Sequence, residues 1–335
     1  MTSTPGTLLR AAARSRICRA LAVLLLLAGA GGGWWLAEAR DPGYPTGTYG
    51  FATGVSGGVY DTYGGMFGQY LGDHLPGVRL RLDNSEGSLE NIARVLDGRD
   101  TFAFATADAV AAYDKPGKGR LRAVARLYDD YLQLVVPADS RIHSAADLKG
   151  LRVGIGGRQS GVALATRRLL TSAGLDPERD VTSEPLAVNN AAAALQAGQL
   201  DAFFWSGGLP TSALSNLSAQ FPIRIVPLGD LADKVHEREG GGTDAYRAAT
   251  IPADAYPRIK PAGAVPTLAV PNLLITRDDV DPDLVEQVTQ AVLDSRDGIG
   301  EKVHAAQVVD LRTAVYTDPL PLHEGAKRYY TSVKP

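Results

Sequence analysis

A short strand, a glycine-rich turn and a helix follow one another near the start of this chain, and the same order recurs in its middle. The first copy covers residues 49–71 and turns at residues 53–58. The second covers residues 151–173 and turns at residues 156–161. The first N–H groups of a helix have no partners within it, and the helix dipole adds about half a positive charge there. Each turn is therefore a predicted anion-binding position that would suit a carboxylate.

Similarity between the two copies extends past their first helices. In each copy a helix that starts near an asparagine ends at a glycine, and a strand with Asp and Phe follows, at residues 91–102 and 190–203. Ligands of open α/β sheets bind beyond the carboxyl ends of the strands. The repeat therefore predicts an α/β fold with two lobes that face each other across a ligand cleft. The alternative is that βα units resemble one another because all follow the same construction rules.

The first 39 residues have the layout of a secretory signal peptide. Four arginines precede an apolar run at residues 20–28, and a small-x-small site follows at residues 37–39. This leader predicts export to the periplasm or the cell surface. It is longer than the usual ~15–30 residues, so an uncleaved membrane anchor is the alternative. Residues 40–47 are a predicted linker between the leader and the fold.

Charge and cysteine content exclude several function classes. Removing the four leader arginines and Glu38 from the 34 basic and 37 acidic residues leaves 30 and 36, a net charge near −6. Nucleic-acid partners require a basic footprint, so none is predicted. The single cysteine, Cys18, lies in the leader. The mature chain is therefore predicted to have no disulfide and no thiol nucleophile, and no metal-ligand cluster or cofactor motif is visible.

The last third of the chain is predicted to return to the first lobe. The apolar run at residues 267–275 is placed as a strand that crosses back. Hinges are expected near residues 135–140 and 250–268. The predicted organisation is a leader at 1–39, a linker at 40–47, lobe 1 from 48–136 plus 268–335, and lobe 2 from 137–267.

Three further patterns make local predictions. Apolar runs at residues 121–127 and 131–136 indicate two separate strands. Ser88 is placed as the N-cap of a helix that ends at Leu96. Residues 301–305 are predicted to form a short helix after a longer one.

Ordered motifs along nearly the whole mature chain resemble a known family. They begin with Thr-Gly-x-x-Gly-Gly-x-Tyr at residues 53–60 and Gly-Ser-Leu-Glu-Asn at residues 87–91, and they end with His-x-Gly-Ala-x-x-Tyr-Tyr at residues 323–330. The set resembles the TAXI family, the extracytoplasmic solute receptors of tripartite ATP-independent periplasmic (TRAP) transporters. The resemblance implies a type II periplasmic-binding-protein fold, ligand-driven closure, and delivery of a small carboxylate or amino acid such as glutamate to a TRAP membrane permease.

The chain departs from this family where the ligand is expected to lie. The family's second turn usually reads Gly-x-x-x-Ser-Gly-Thr, whereas Val162 occupies the last place here. Arg158 and Gln159 stand where small residues or proline are common, and Thr106 stands where the family often has Gln. Selectivity for the solute is therefore expected to lie at these positions.

The candidate ligand-binding residues come from the two turns and from strand ends. They are Thr53, Ser56, Gly57, Gly58, Tyr60, Ser88, Thr106, Asp108, Arg158, Gln159, Ser160, Gly161, Val162 and Trp205.

Most of these candidates also have a structural interpretation. Ser56 and Ser160 either donate hydrogen bonds to a ligand or cap the helices that follow them. Tyr60 either contacts the ligand or packs on its own helix. Each alternative stays open at the level of sequence.

Charged and aromatic candidates divide in the same way. Arg158 is either a fork for a carboxylate or a solvated loop residue. Asp108 either binds an ammonium group or caps a helix, and Trp205 either forms a pocket wall or belongs to the core. His323 is predicted to anchor the C-terminal tail.

A serine hydrolase is the alternative function. Residues 54–58 read Gly-Val-Ser-Gly-Gly and fit the G-x-S-x-G nucleophile elbow, with Ser56 as the nucleophile. Such a site also needs an acid and a histidine within reach of the serine. The chain has five histidines, and none lies in a recognisable partner motif. The second glycine-serine turn favours a pair of cleft walls, so a binding protein without catalysis is predicted.

Overall fold

The computed structural model describes residues 45–238, 244–259 and 263–333. The predicted leader and most of the predicted linker lie outside these ranges. Within them, no helix has the length and apolar character needed to cross a bilayer.

Ten strands and ten α-helices alternate along the described chain. The strands are β1 (Gly47–Gly54), β2 (Val78–Asn84), β3 (Phe102–Thr106), β4 (Leu121–Pro137), β5 (Arg152–Gly154), β6 (Thr182–Glu184), β7 (Ala202–Gly207), β8 (Ile223–Val226), β9 (Arg247–Ile251) and β10 (Val265–Arg277). The helices are α1 (Val59–His74), α2 (Ser88–Leu96), α3 (Ala107–Ala112), α4 (Gly161–Ser172), α5 (Val188–Gln196), α6 (Ser212–Gln220), α7 (Ala232–Arg238), α8 (Pro282–Asp294), α9 (Arg296–Gly300) and α10 (Glu324–Ser332).

The two predicted repeats have the same topology. In the first half of the sheet, β1 lies between β2 and β3 and is parallel to both. In the second half, β5 lies between β6 and β7 and is parallel to both. Each half therefore aligns the carboxyl ends of its parallel strands, which are also the ends from which α1 and α4 begin. The α/β repeat predicted from the two glycine turns is confirmed.

Two long antiparallel strands belong to both halves of the sheet. Strand β4 pairs with β10 along its first part and with β7 and β8 along its last part. Strand β10 pairs with β9 at the start and with β3 at the end. The apolar run at residues 267–275, which was predicted to be a strand, lies within β10. The partners change near Tyr131 and between Ala269 and Asn272, a few residues away from the hinges expected from sequence.

Each half has its own buried core. In the second half, Leu134, Phe203 and Leu169 belong to one continuous hydrophobic cluster. In the first half two clusters flank the sheet, and Phe51 and Ala52 on β1 belong to different ones. Successive side chains of a strand point to opposite faces, which explains the alternation.

Three local predictions were wrong. Residues 121–137 form one strand because Asp129 and Asp130, which interrupt the apolar pattern, pair with β10 across the sheet. Gly87 occupies the N-cap of α2, and Ser88 is the first helical residue. The predicted helix at 301–305 is replaced by a turn and a short 3₁₀ helix at His304–Val308.

The C-terminal tail is anchored as predicted. His323 is buried and caps α10, where its Nδ1 accepts a hydrogen bond from the backbone N–H of Gly325 (3.1 Å). Its own backbone N–H donates to the carbonyl oxygen of Ala123 on β4 (2.8 Å). Burial lowers the pKa of His323, so the ring is held in its neutral form.

Candidate functional site

A cavity of about 60 Å³ lies between the two halves, where their strand ends meet the starts of α1 and α4. A cavity needs about 10–15 Å³ to hold one water molecule, so this cavity has room for about five waters or one small organic solute. Its lining residues are Gly54, Val55, Gly58, Val59, Tyr60, Glu86, Gly87, Ser88, Thr106, Asp130, Gly156, Gly157, Ser160, Gly161, Val162, Ala187, Trp205, Ser206 and Gly207.

The first wall is the start of α1. Gly58 is the N-cap and offers no side-chain cap, so the next amide groups face the cavity region without an intrahelical acceptor. The ring of Tyr60 stacks on Phe104 with centroids 5.0 Å apart. Its hydroxyl donates a short hydrogen bond to Asn272 Oδ1. Tyr60 therefore both packs on the core and lines the cavity.

The second wall is the start of α4. Ser160 is the N-cap, and its Oγ accepts from the backbone N–H of Ala163 (3.1 Å) and donates to the carbonyl oxygen of Gly157 (2.6 Å). The capping interpretation of Ser160 is therefore correct. Gly161 and Val162 follow on the cavity side.

Glycines allow the two halves to approach closely beside the cavity. A Cβ atom on Gly161 would lie 2.9 Å from Thr106 Oγ1 and 3.0 Å from Ser88 Oγ. Gly87 has φ +129°, and a Cβ atom there would lie 3.3 Å from the Cα of Ser160. A side chain at either position would force the halves apart or displace the hydroxyl groups between them.

Hydrogen bonds join the halves around the cavity. The carbonyl oxygen of Gln159 accepts from the backbone N–H groups of Leu89 and Glu90 at the start of α2, at 3.1 Å each. The backbone N–H of Gln159 donates to Glu86 Oε2 (2.8 Å). Elsewhere in the cleft, Asn189 Nδ2 donates to the carbonyl oxygen of Ser56 (3.3 Å). These contacts hold the cleft in a closed arrangement.

Asp130 lies where β4 crosses between the halves, and it is 5% exposed. Its carboxylate accepts hydrogen bonds from Asn272 Nδ2 (2.7 Å) and Ser206 Oγ (3.4 Å). Burial raises the pKa of Asp130 to about 7; the neighbouring Asp108 adds to this rise, while the two hydrogen bonds oppose it. The cavity therefore contains a carboxyl group that titrates near neutral pH.

A second buried carboxylate, Asp108, lies in α3 outside the lining of this cavity. Its Oδ2 accepts a hydrogen bond from the Tyr246 hydroxyl (2.5 Å) and lies 3.6 Å from Arg168 Nη1. The Arg168 guanidinium also lies 5.7 Å from the centre of the Tyr246 ring. Asp108 thus joins α3 in the first half to elements of the second half.

The structure brings many of the predicted site residues together. Those that line the cavity are Gly58, Tyr60, Ser88, Thr106, Ser160, Gly161, Val162 and Trp205. Trp205 is also a core residue, and its Nε1 donates to Thr211 Oγ1 (2.9 Å).

The remaining predicted residues lie outside the cavity lining. Thr53 is fully buried behind the first turn, and Ser56 and Gly57 are exposed on it. Gln159 bonds to the opposite half, as described above, and Arg158 beside it is exposed.

Sequence patterns did not predict several polar groups of the site. Asp130 falls between the two strands that were predicted at residues 121–127 and 131–136, Ser206 and Asn272 lie in β7 and β10, and Glu86 lies in a loop. A signal was present, because an acidic pair at residues 129–130 inside an apolar run costs free energy unless it has partners. Among the described residues, no group of three or more His, Cys, Asp or Glu side chains is arranged to hold a metal ion.

Solved structures of other proteins share this fold. A protein of Bordetella bronchiseptica RB50 is similar at a TM-score of 0.52 and 18% identity, over 86% of this chain and 90% of that one. A structure described as a periplasmic transporter is similar at a TM-score of 0.50 and 16% identity, over 86% and 93%. The periplasmic aliphatic sulphonate binding protein SsuA of Escherichia coli gives a TM-score of 0.48 and 15% identity, over 87% and 84%. The fold is the two-lobed α/β fold of periplasmic solute-binding proteins.

Sequence comparison places the chain in a family. Residues 51–332 match the NMT1-like family, and this range covers most of the chain. The protein therefore belongs to the NMT1-like family. Membership of the TAXI family, inferred above from motifs, stays a prediction.

Proposed function

We propose that this protein is an extracytoplasmic solute-binding protein that captures a small carboxylate or amino acid and delivers it to a TRAP-type membrane permease. One observation carries the proposal: a solute-sized cavity lies closed between two α/β halves, with the start of a helix on each side of it. Membership of the NMT1-like family and the shared fold of solute-binding proteins support a binding role without catalysis.

The solute's carboxylate is proposed to bind at the two helix starts. Amide groups of Val59 and Tyr60 on one side and of Gly161 and Val162 on the other supply donors, and both helix dipoles favour negative charge there. The solute enters when the halves separate and is enclosed when they meet. The crossings of β4 and β10 are the segments that connect the halves and would bend.

Export and the permease are inferred from the sequence. The leader at residues 1–39 predicts release into the periplasm or retention at its membrane. The TRAP-type permease is proposed from the motif resemblance to the TAXI family, and a permease gene adjacent to this one would support it.

The competing hydrolase proposal depends on Ser56. This serine is exposed on the first turn, outside the cavity lining. Its backbone carbonyl oxygen accepts a hydrogen bond from Asn189 in the opposite half. The proposed receptor needs no nucleophile at this position. Ser56→Ala is therefore expected to change solute affinity by no more than about 1–2 kcal/mol, the value of one lost hydrogen bond.

Isothermal titration calorimetry against a panel of amino acids, monocarboxylates and dicarboxylates tests the proposal. At least one member is expected to bind with a stoichiometry of one and an affinity in the micromolar range. Absence of binding by every member of the panel contradicts the proposed solute class. Ester hydrolysis by the wild-type protein that disappears in Ser56→Ala would instead support the hydrolase.

A further inference from the structure

The charge of the cavity differs from that expected for a site specific to acidic solutes. Its lining contains two carboxylates, Glu86 and Asp130. Among the described residues that line it, none is Lys, Arg or His. Glu86 accepts the backbone N–H of Gln159 at the cleft contact, whereas Asp130 lies deeper, at the strand crossing.

The hydrogen bonds around Asp130 fix it as an acceptor. The Tyr60 hydroxyl donates to Asn272 Oδ1, so the amide group of Asn272 must present its Nδ2 to Asp130. Ser206 Oγ donates from β7. Both neighbours therefore favour the ionised carboxylate, yet neither supplies a positive charge.

A buried carboxylate without a cationic partner is unfavourable, because the desolvation of its charge is not offset. The titratable groups that face Asp130 do not supply the missing positive charge. They are Tyr60 from α1, Asp108 from α3 and Tyr128 from its own strand, and none of them can carry a positive charge. The remaining open side of Asp130 is the cavity itself.

We infer that Asp130 binds a protonated amine of the solute, so that the cavity selects a zwitterionic amino acid over the corresponding carboxylic acid. The inference rests on the proposed function and narrows its solute class. The two charges of the solute are then matched separately. The helix starts receive its carboxylate, and Asp130 at the strand crossing receives its ammonium group.

This pairing makes binding depend on pH. The carboxyl group of Asp130 has a pKa of about 7, whereas the ammonium group of a free amino acid stays protonated well above that pH. Binding therefore requires Asp130 to lose its proton. The apparent affinity is expected to rise about tenfold between pH 6 and pH 8 and to release up to about one proton per solute bound at the acid end of this range.

Matched pairs of solutes test the inference on the wild-type protein. Calorimetric titrations compare L-glutamate with glutarate, L-alanine with propionate, and L-glutamine with 4-carbamoylbutanoate, which differ by the α-amino group. The amino acid of at least one pair is expected to bind at least tenfold more tightly than its partner. Repeating that titration in buffers of different ionisation enthalpy measures the proton released.

Asp130→Asn removes the charge and keeps the shape of the side chain. It is expected to weaken binding of the amino acid at least tenfold at pH 8 and to abolish its rise with pH. Asp114→Asn is the matched control, because Asp114 is exposed and does not line the cavity; it should bind as the wild-type protein does.

The outcomes separate this inference from the proposed function. Equal or tighter binding of the deaminated partner in every pair that binds overturns the inference and leaves the solute-binding proposal standing. Asp130→Asn that binds the amino acid with unchanged affinity and pH dependence does the same. Absence of binding by every member of every pair overturns the proposed solute class and the inference together.

Discussion

The glycine at the first position of α4 should control whether the cleft can close. In the closed arrangement a Cβ atom on Gly161 would lie 2.9 Å from Thr106 Oγ1 and 3.0 Å from Ser88 Oγ. These hydroxyls belong to the opposite half. They are not free to move, because Ser88 Oγ also accepts a hydrogen bond from the backbone N–H of Thr106 (3.1 Å). Gly161→Ala should therefore destabilise the closed form specifically.

The magnitude follows from what must be displaced. Moving the Ser88 hydroxyl breaks one buried hydrogen bond, which costs about 1 kcal/mol, and overpacking of a tight contact costs about 1–3 kcal/mol. Together these costs are about 2–4 kcal/mol, so solute affinity should fall by about 30- to 800-fold. Stability of the isolated halves should not fall, because Ala is a better helix former than Gly by up to about 1 kcal/mol.

Titration of the panel solute that binds the wild-type protein most tightly measures the loss of affinity, and thermal unfolding of the solute-free protein measures stability. Gly65→Ala in α1 is the matched control, because a Cβ atom there has no neighbour within 4 Å. Gly161→Ala is predicted to bind weakly while unfolding at the wild-type temperature or above it. Wild-type affinity in Gly161→Ala would refute the proposal that binding requires this contact.

Three further substitutions test other parts of the structure. Because burial raises the pKa of Asp130 to about 7, the folded protein holds this proton more tightly than the unfolded chain, and stability should fall as pH rises from about 4 to 7. Asp130→Asn should remove that fall and unfold at or above the wild-type temperature at pH 8; an unchanged pH profile would contradict the assignment. His323→Ala removes the cap of α10 and should lower the free energy of unfolding by about 1 kcal/mol, measured by denaturant titration, whereas no change would mean that the cap is dispensable. Trp205→Phe loses the hydrogen bond to Thr211 and should cost about 1 kcal/mol of stability, visible in the same titration, and a stabilised variant would oppose it.

Local patterns predicted the parts of the fold that depend on local physics. The glycine turns at 53–58 and 156–161 and the periodic helices after them were enough to anticipate two parallel α/β units with matching topology. Strand β4 was predicted as two strands because Asp129 and Asp130 break its apolar pattern. Pairing with β10, which is distant in sequence, keeps β4 continuous, and local propensities cannot predict such pairing.

Local sequence patterns predicted only part of the site. Gly58, Ser160 and Gly161 line the cavity because helix starts at strand ends face it, which follows from the βα order alone. Asp130 and Ser206 reach it from the crossing strands, and their place depends on how the halves meet. Gln159 and Asp108 join the halves through contacts that no local pattern encodes.

Native mass spectrometry of the purified protein tests the central claim most directly. The proposal predicts one small amino acid or carboxylate bound per chain, either retained from the cell or regained when the refolded protein is mixed with the panel. Denaturation should release this solute for identification. A protein that acquires no added mass from any panel member at millimolar concentration would contradict the claim that the cavity is a solute-binding site of this class.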